Sequence, residues 1–252
     1  YRDVIHKIRS LARPDQAIEY PPMQSESGPV VSAKPSPITP VAKLLSNVPK
    51  AILERPVSVV PGKYQCIAIG SSTGGPQALM HIFKQLKGMH INAPIFITQH
   101  MPKTFTQILA KHLNDAGSIP CVEGAHGTVV RAGTAYIAPG DYHMVPVRKG
   151  TQTVIELNQN PPINYCRPAV DPMFAALAEI YGERLLAIVL TGMGQDGLEG
   201  AKDVVRYKAP VIAQNEQSCV VWGMPKAISQ AGLASEELDL DGIAALIRGV
   251  MA

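Results

Sequence analysis

The chain has 252 residues, of which 46% are hydrophobic and 17% charged, with a formal net charge of +3. The first 63 residues hold 9 Lys/Arg against 5 Asp/Glu, whereas the remaining residues hold 14 against 15. The larger part is therefore close to neutral, which argues against a nucleic-acid-binding surface. Because no run reaches the roughly 18 apolar residues of a membrane span and no signal peptide is visible, we expect a cytoplasmic protein without membrane insertion.

The N-terminal quarter does not have the pattern of a packed domain. Residues 1–13 predict an amphipathic helix that is too short to be stable alone in water, so we expect it to be the last helix of a preceding domain. A chain that begins at Tyr1 rather than Met is also expected to be part of a longer protein. Residues 14–63 are rich in proline and predict a linker, within which "VAKLLSNVPKAILE" has the spacing of a short docking helix.

From Tyr64 onward, strand and helix patterns alternate, which predicts one domain over residues 64–252. The apolar runs typical of buried parallel strands are "CIAIG", "PIFITQ", "LLAIVLTG" and "PVIAQ". Helical patterns cover residues 76–86, 103–113, 171–181, 198–207 and 225–230. The segment "YHMVPVRKGTQTVIEL" instead alternates around Lys149-Gly150 and predicts a hairpin. The fold class is therefore α/β, with a mostly parallel doubly wound sheet and an inserted antiparallel β-hairpin.

Polar side chains follow three of the predicted strands. Ser72 follows the first strand, His100 the second, and Asp196 lies in "TGMGQDG" after a later one. Since the sites of such folds lie beyond the carboxyl ends of the strands, these three side chains are expected at one edge of the sheet. A hydroxyl, an imidazole and a carboxylate are the groups that acyl transfer by a serine nucleophile requires.

The stretch "GSSTGGP" at residues 70–76 permits three interpretations: a phosphate-binding loop, a nucleophile on a tight turn, or a plain connection from strand to helix. It lacks the lysine of the P-loop and does not match the dinucleotide-binding fingerprint. It does match G-x-S-x-G, in which a sharp turn exposes the serine. From the local sequence alone, Ser72 as a simple helix cap is an equally good interpretation.

Other residues compete for the roles of base and acid. Among the histidines, only His143 in "APGDYHM" rivals His100, and Asp141 and Asp171 rival Asp196. The chain order Ser72, His100, Asp196 differs from that of the α/β-hydrolases, in which the acid precedes the histidine. The cysteines form no C-x-x-C pair, so we expect free thiols and no thiolate metal site; they are Cys66, Cys121, Cys166 and Cys219.

Together these motifs resemble the catalytic domain of the CheB-type chemotaxis protein-glutamate methylesterases. The resemblance spans residues 64–232 and follows the family's order through "IAIGSSTGGPQAL", "ITQHMP", "GTAYIAPGDYHM", "NYCRPAVDPMF", "AIVLTGMGQDGLEG" and "IAQNEQSCVVWGMPKA". It implies that Ser72, His100 and Asp196 form a catalytic triad, and that Thr73 and Met193 line the oxyanion and substrate site. It also implies that the N-terminal helix ends a receiver domain that this chain lacks.

The resemblance further implies the reaction and its partners. The expected reaction is hydrolysis of glutamyl methyl esters, and deamidation of some glutamines, on methyl-accepting chemotaxis receptors, with release of methanol. No cofactor and no metal is expected; the expected partners are the receptors and, through the missing receiver domain, a chemotaxis histidine kinase. A monomer is expected. The alternatives are the same chemistry on receptors of another methyl-accepting signalling system, or a receptor-binding module without catalysis.

Overall fold

The structure, a computed structural model, describes residues 57–251. The predicted N-terminal helix, most of the predicted linker and the predicted docking helix lie outside these residues. Residues 57–63, at the end of the predicted linker, form no helix or strand. The Gly62 N–H donates to the carbonyl of Val250 at 3.2 Å, and Val60 N–H donates to the Tyr64 hydroxyl. The domain boundary at Tyr64 stays a prediction.

The described chain alternates strands and helices. Its first half contains β1 (Cys66–Ser71), α1 (Gly75–Gln85), β2 (Ile95–Gln99), α2 (Lys103–Ala116), β3 (Cys121–Glu123), β4 (Ala135–Ile137), β5 (His143–Lys149) and β6 (Gln152–Asn158). Its second half contains α3 (Val170–Tyr181), β7 (Leu185–Val189), α4 (Leu198–Arg206), β8 (Val211–Gln214), α5 (Met224–Gln230), β9 (Glu236–Leu238) and α6 (Leu240–Met251).

Seven strands form one sheet in the order β3-β4-β2-β1-β7-β8-β9, and every neighbouring pair is parallel. The chain places β2, β3 and β4 on one side of β1 and then reverses direction to place β7, β8 and β9 on the other side. This reversal makes the carboxyl ends of β1, β2 and β7 the switch point at which sites form in open α/β sheets.

The strand side chains alternate between two hydrophobic cores, one on each face of the sheet. Ile67 and Ile69 of β1 face the core built with α1, α2 and α6. Cys66 and Ala68 face the core built with α3, α4 and α5. Because both faces are covered, the strands read as continuous apolar runs rather than as alternating ones.

The hairpin of β5 and β6 forms a separate two-stranded antiparallel sheet inserted between β4 and α3. The predicted fold class is therefore confirmed. The sequence analysis did not identify β3, β4, β9 or α6. The three strands have only three residues each, too few for a period-2 pattern to emerge. No helix between residues 57 and 251 is long and apolar enough to span a membrane.

Candidate active site

The loops that follow β1, β2 and β7 lie side by side at one edge of the sheet. Strand β1 pairs with β2 through Ser71 opposite Gln99, and with β7 through Gly70 opposite Val189. Ser72 and His100 are the residues that come directly after the first of these pairs. The two predicted site residues therefore follow neighbouring strand ends, as the sequence indicates.

Ser72 lies on a tight turn between β1 and α1. Its backbone N–H donates to the carbonyl of Thr191 at 3.0 Å, and its carbonyl accepts from the Gly75 N–H at 2.8 Å. The residue at the N-cap of α1 is Gly74, with φ of 81°, and no side chain caps this helix end. The interpretation of Ser72 as a helix cap is therefore wrong, and within residues 57–251 its hydroxyl makes no hydrogen bond.

Gly192, in the loop after β7, lets that loop approach Ser72 closely. A Cβ atom at Gly192 would lie 2.8 Å from Ser72 Cβ and 3.0 Å from Ser72 N. Separations of this size are shorter than van der Waals contact between these atoms. A side chain at position 192 would thus displace the serine, which explains physically why a glycine stands there.

The amide of Gln99 connects the turn after β1 to the end of β2. Its Oε1 accepts from the Ser71 hydroxyl at 2.7 Å, and its Nε2 donates to the Ser72 carbonyl at 2.9 Å. The His100 N–H donates to the Ser71 carbonyl at 3.1 Å. These bonds hold the backbone of Ser72 in a defined position relative to the backbone of His100. Because the bonded donors and acceptors are buried, leaving any of them unpaired would lower the stability of the fold.

The imidazole of His100 contacts the carboxylate of Asp196. His100 Nε2 lies 2.6 Å from Asp196 Oδ2, and the two side chains are 10% and 1% exposed. The loop after β2 thus meets the loop after β7 in front of β1. A short, almost fully buried contact of this kind is a charge-assisted hydrogen bond that determines which nitrogen carries the proton.

The carboxylate of Asp196 sits at the N-terminus of α3. It accepts from the Val170 N–H at 2.6 Å and from the Asp171 N–H at 3.2 Å. Desolvation by burial raises its pKa, but the bonds from His100, Val170 and Asp171 outweigh that effect, so the pKa of Asp196 is lowered. A helix N-terminus favours a negative charge for the same reason. Asp196 is therefore ionised at neutral pH.

Asp171, the other candidate for the catalytic acid, lies close to Asp196 but bonds to different groups. Its Oδ1 accepts from the Gly197 N–H at 2.9 Å and from the Gly200 N–H at 2.8 Å, at the start of α4. Desolvation by burial, partly offset by the Gly200 bond and reinforced by the charge of Asp196, raises the pKa of Asp171 to about 7. Through the bond to Gly197, Asp171 stabilises the turn that contains Asp196.

The second ring nitrogen of His100 contacts a cysteine. Cys166 Sγ lies 3.3 Å from His100 Nδ1. Burial lowers the pKa of His100, but Asp196 and Cys166 raise it more, to about 9. No hydrogen bond joins His100 to the Ser72 hydroxyl within the described part of the chain. The sequence patterns predict Cys166 only as a free thiol and carry no signal of its contact with His100.

The other rivals have partners elsewhere. His143 is buried; its Nδ1 accepts from the Ala169 N–H at 3.2 Å and its Nε2 lies 3.2 Å from the carbonyl of Pro161. Asp141 is exposed and forms an ion pair with Arg167 at 2.6 Å. Among the described residues, neither side chain hydrogen-bonds to Ser72, His100 or Asp196.

Thr73 and Met193 flank the turn of Ser72 with unused backbone donors. Met193 lies in the glycine-rich turn after β7, and its side chain is 70% exposed. Within residues 57–251 neither the Thr73 N–H nor the Met193 N–H donates to a protein acceptor. Unpaired N–H groups of this kind are the donors that an oxyanion requires. Among the described residues no cluster of three or more His, Cys, Asp or Glu side chains could hold a metal ion.

Comparison with known proteins shows which family this chain resembles. The family model described as CheB methylesterase matches residues 67–247. The "protein-glutamate methylesterase/protein-glutamine glutaminase 1" of Rhodospirillum rubrum is 45% identical over an alignment of 251 positions, and the match covers 97% of this chain and 63% of that protein. The protein of the same name from Paramagnetospirillum magneticum is 46% identical over an alignment of 252 positions, and the match covers 99% of this chain and 65% of that protein. The chain thus spans less than two thirds of the length of these relatives.

A solved structure has the same fold. The crystal structure of the Thermotoga maritima CheB methylesterase catalytic domain superposes with a TM-score of 0.71 at 40% sequence identity. The match covers 73% of this chain and 98% of that one. About three quarters of this chain therefore match nearly the whole of that catalytic domain.

Proposed function

Because the chain belongs to the CheB methylesterase family, we propose that it hydrolyses glutamyl methyl esters on the cytoplasmic helices of methyl-accepting chemotaxis receptors and deamidates glutamines there. The observation that carries this proposal is the 2.6 Å contact of His100 with Asp196. This contact lies at the edge of the sheet where β1 ends and the turn of Ser72 begins. Relatives 45% and 46% identical bear the name of both activities.

Ser72 is the proposed nucleophile. Its hydroxyl makes no hydrogen bond within the described residues. The turn that carries Ser72 is held by backbone hydrogen bonds to Thr191 and Gly75. His100 is the proposed base. Asp196 is bonded to Nε2, so Nδ1, which also lies 3.3 Å from Cys166 Sγ, is the nitrogen proposed to accept the serine proton. Catalytic hydrogen bonds between nucleophile and base often tighten only in the complex with substrate.

Charge that develops on the ester oxygen needs donors close to Ser72. The N–H groups of Thr73 and Met193, which lack protein acceptors within the described chain, are the proposed oxyanion donors. Removing one such donor from a serine hydrolase costs about 10²–10³ in kcat. The imidazolium would then protonate the departing methanol, and a water molecule activated by the same histidine would hydrolyse the acyl-enzyme.

The surroundings of the site suit a protein substrate. Large apolar side chains stand exposed next to the serine, histidine and aspartate loops, namely Tyr165, Met193 and Val220. Contiguous exposed apolar surface marks sites that bind macromolecules, and we propose that these side chains contribute to such a surface. A γ-ester or γ-amide on a receptor helix would reach Ser72 between them, and both reactions transfer the same acyl group to the serine.

Mass spectrometry of a receptor fragment tests the proposal. A methylated fragment incubated with the chain should lose the mass of a methylene group at specific glutamates, and a glutamine-containing one should gain the mass expected for deamidation. Binding of the fragment with both masses unchanged would contradict the proposal and favour a receptor-binding module. Activity only on methylated proteins of another signalling system would leave the chemistry standing and overturn the receptor assignment.

A further inference from the structure

One contact of the candidate site has no role in the reaction proposed above. Asp196 takes the Nε2 side of His100 at 2.6 Å, and Cys166 Sγ lies on the Nδ1 side at 3.3 Å. Because a sulfur atom is larger than an oxygen atom, 3.3 Å is a close approach between sulfur and nitrogen. Nδ1 is also the only ring nitrogen left to take the proton of Ser72.

Cys166 is held in this position by a short, well-anchored segment. Asn164 and Tyr165 have positive φ values of 50° and 63°, a conformation that non-glycine residues adopt at a cost. Asn164 Nδ2 donates to Asp171 Oδ2 at 3.3 Å. Asp171 also accepts from the N–H of Gly197, the residue next to Asp196. The segment that carries Cys166 and the loop that carries Asp196 are therefore joined through Asp171.

We propose that Cys166 is a positioning residue for His100, whose sulfur accepts the N–H that appears on Nδ1 when the imidazole takes up a proton. This inference rests on the function proposed above. In the first half of the reaction the proton leaves the Ser72 oxygen as that oxygen bonds to the acyl carbon, and it arrives at Nδ1. In the second step it leaves Nδ1 for the oxygen of the departing methanol.

The contact matters because the protonated ring is the species formed between those two steps. With Asp196 on one side and Cys166 on the other, both N–H groups of the imidazolium have acceptors. The titratable groups that act on His100 are Asp196, from the loop after β7, and Cys166, from the segment before α3. The loop after β1, residues 72–74, contains no charged side chain. The pKa of His100, raised to about 9 by both partners against burial, agrees with this assignment.

Replacement of Cys166 by alanine removes the acceptor and leaves the rest of the site intact. We expect the pH midpoint of kcat/KM for methanol release to fall by about one unit, since the imidazolium loses one of its two partners. We expect kcat to fall about tenfold with KM unchanged. Cys166→Ser keeps an acceptor at the same position and should restore much of both. Cys121→Ala is the matched control, because Cys121 is a buried cysteine on the edge strand β3.

An NMR titration of the His100 ring tests the inference without using catalysis. In a Ser72→Ala background, adding Cys166→Ala should lower the pKa of His100, and adding Cys121→Ala should not. Equal pKa values with and without Cys166, or identical pH–rate profiles for the wild type and Cys166→Ala, would overturn the role of Cys166. A wild type that releases no methanol would instead overturn the proposed function, and the titration would still decide about Cys166.

Discussion

His100 Nε2 and Asp196 Oδ2 lie 2.6 Å apart, although the two residues are separated by 96 positions in the chain. The parallel sheet explains this contact, because β2 and β7 flank β1 and all three strands end at the same edge. The N-terminus of α3 holds the carboxylate from the other side through the N–H groups of Val170 and Asp171. The His–Asp pair is thus a product of topology rather than of local sequence.

The Asp196→Asn variant tests how much the His100–Asp196 pair contributes to catalysis. The amide keeps the shape of the side chain but removes the charge that stabilises the imidazolium, and it favours the wrong tautomer of His100. We expect kcat for methanol release to fall by about 10³–10⁴, as in other triads. Asp115→Asn, at an exposed position of α2, is the control. Loss of less than tenfold at Asp196 would mean that the carboxylate does not serve the reaction.

The pH dependence of the reaction follows from the raised pKa of His100. The base must be neutral to accept the serine proton, so kcat/KM should rise with pH through a midpoint of about 9, above the ordinary 6.5 of histidine. The same shift stabilises the folded protein: this contribution is complete below about pH 6.5 and is lost as the pH rises through about 9. Methanol release measured from about pH 6 to 10, with circular dichroism at each pH, checks both statements. A midpoint at 6.5 would contradict the contacts of Asp196 and Cys166 with the ring.

Gln99→Leu tests the connection between the serine turn and the histidine strand. Leucine has a similar volume but cannot accept from Ser71 or donate to the Ser72 carbonyl. We expect the free energy of unfolding to fall by about 1–3 kcal/mol for the unpaired buried groups. Activity should fall by about 10²-fold as Ser72 and His100 lose their alignment. Gln107→Leu, at an exposed position of α2, should do neither; a fully active Gln99→Leu protein would refute the alignment role.

Asp171→Asn tests the second buried carboxylate through stability. Because the pKa of Asp171 is raised to about 7, the folded state binds its proton more tightly than the unfolded state does. The charge of Asp171 therefore lowers stability increasingly as the pH rises from about 4 toward 7. The stability of Asp171→Asn relative to the wild type should accordingly increase over this range in urea unfolding. A difference independent of pH would show that Asp171 does not carry a raised pKa.

The sequence predicted the features that depend on strand order and on local chemistry. The apolar runs identified β1, β2, β7 and β8, and the rule that sites lie at strand ends grouped Ser72, His100 and Asp196. Cys166 could not be found in this way, because its contact with His100 depends on the left-handed backbone of Asn164 and Tyr165. The choice between Asp196 and Asp171 also needed the structure, since both lie in one cluster and differ only in their partners.

The central claim is that Ser72 attacks the ester with His100 as its base. Methanol release from a methylated chemoreceptor, compared between the wild type, Ser72→Ala and Ser118→Ala, tests it most directly. Ser118 is exposed on the loop after α2, so its variant should match the wild type. We predict that Ser72→Ala loses about 10³-fold or more while it keeps the wild-type unfolding transition. Methanol release by a folded Ser72→Ala protein at the wild-type rate would contradict the account.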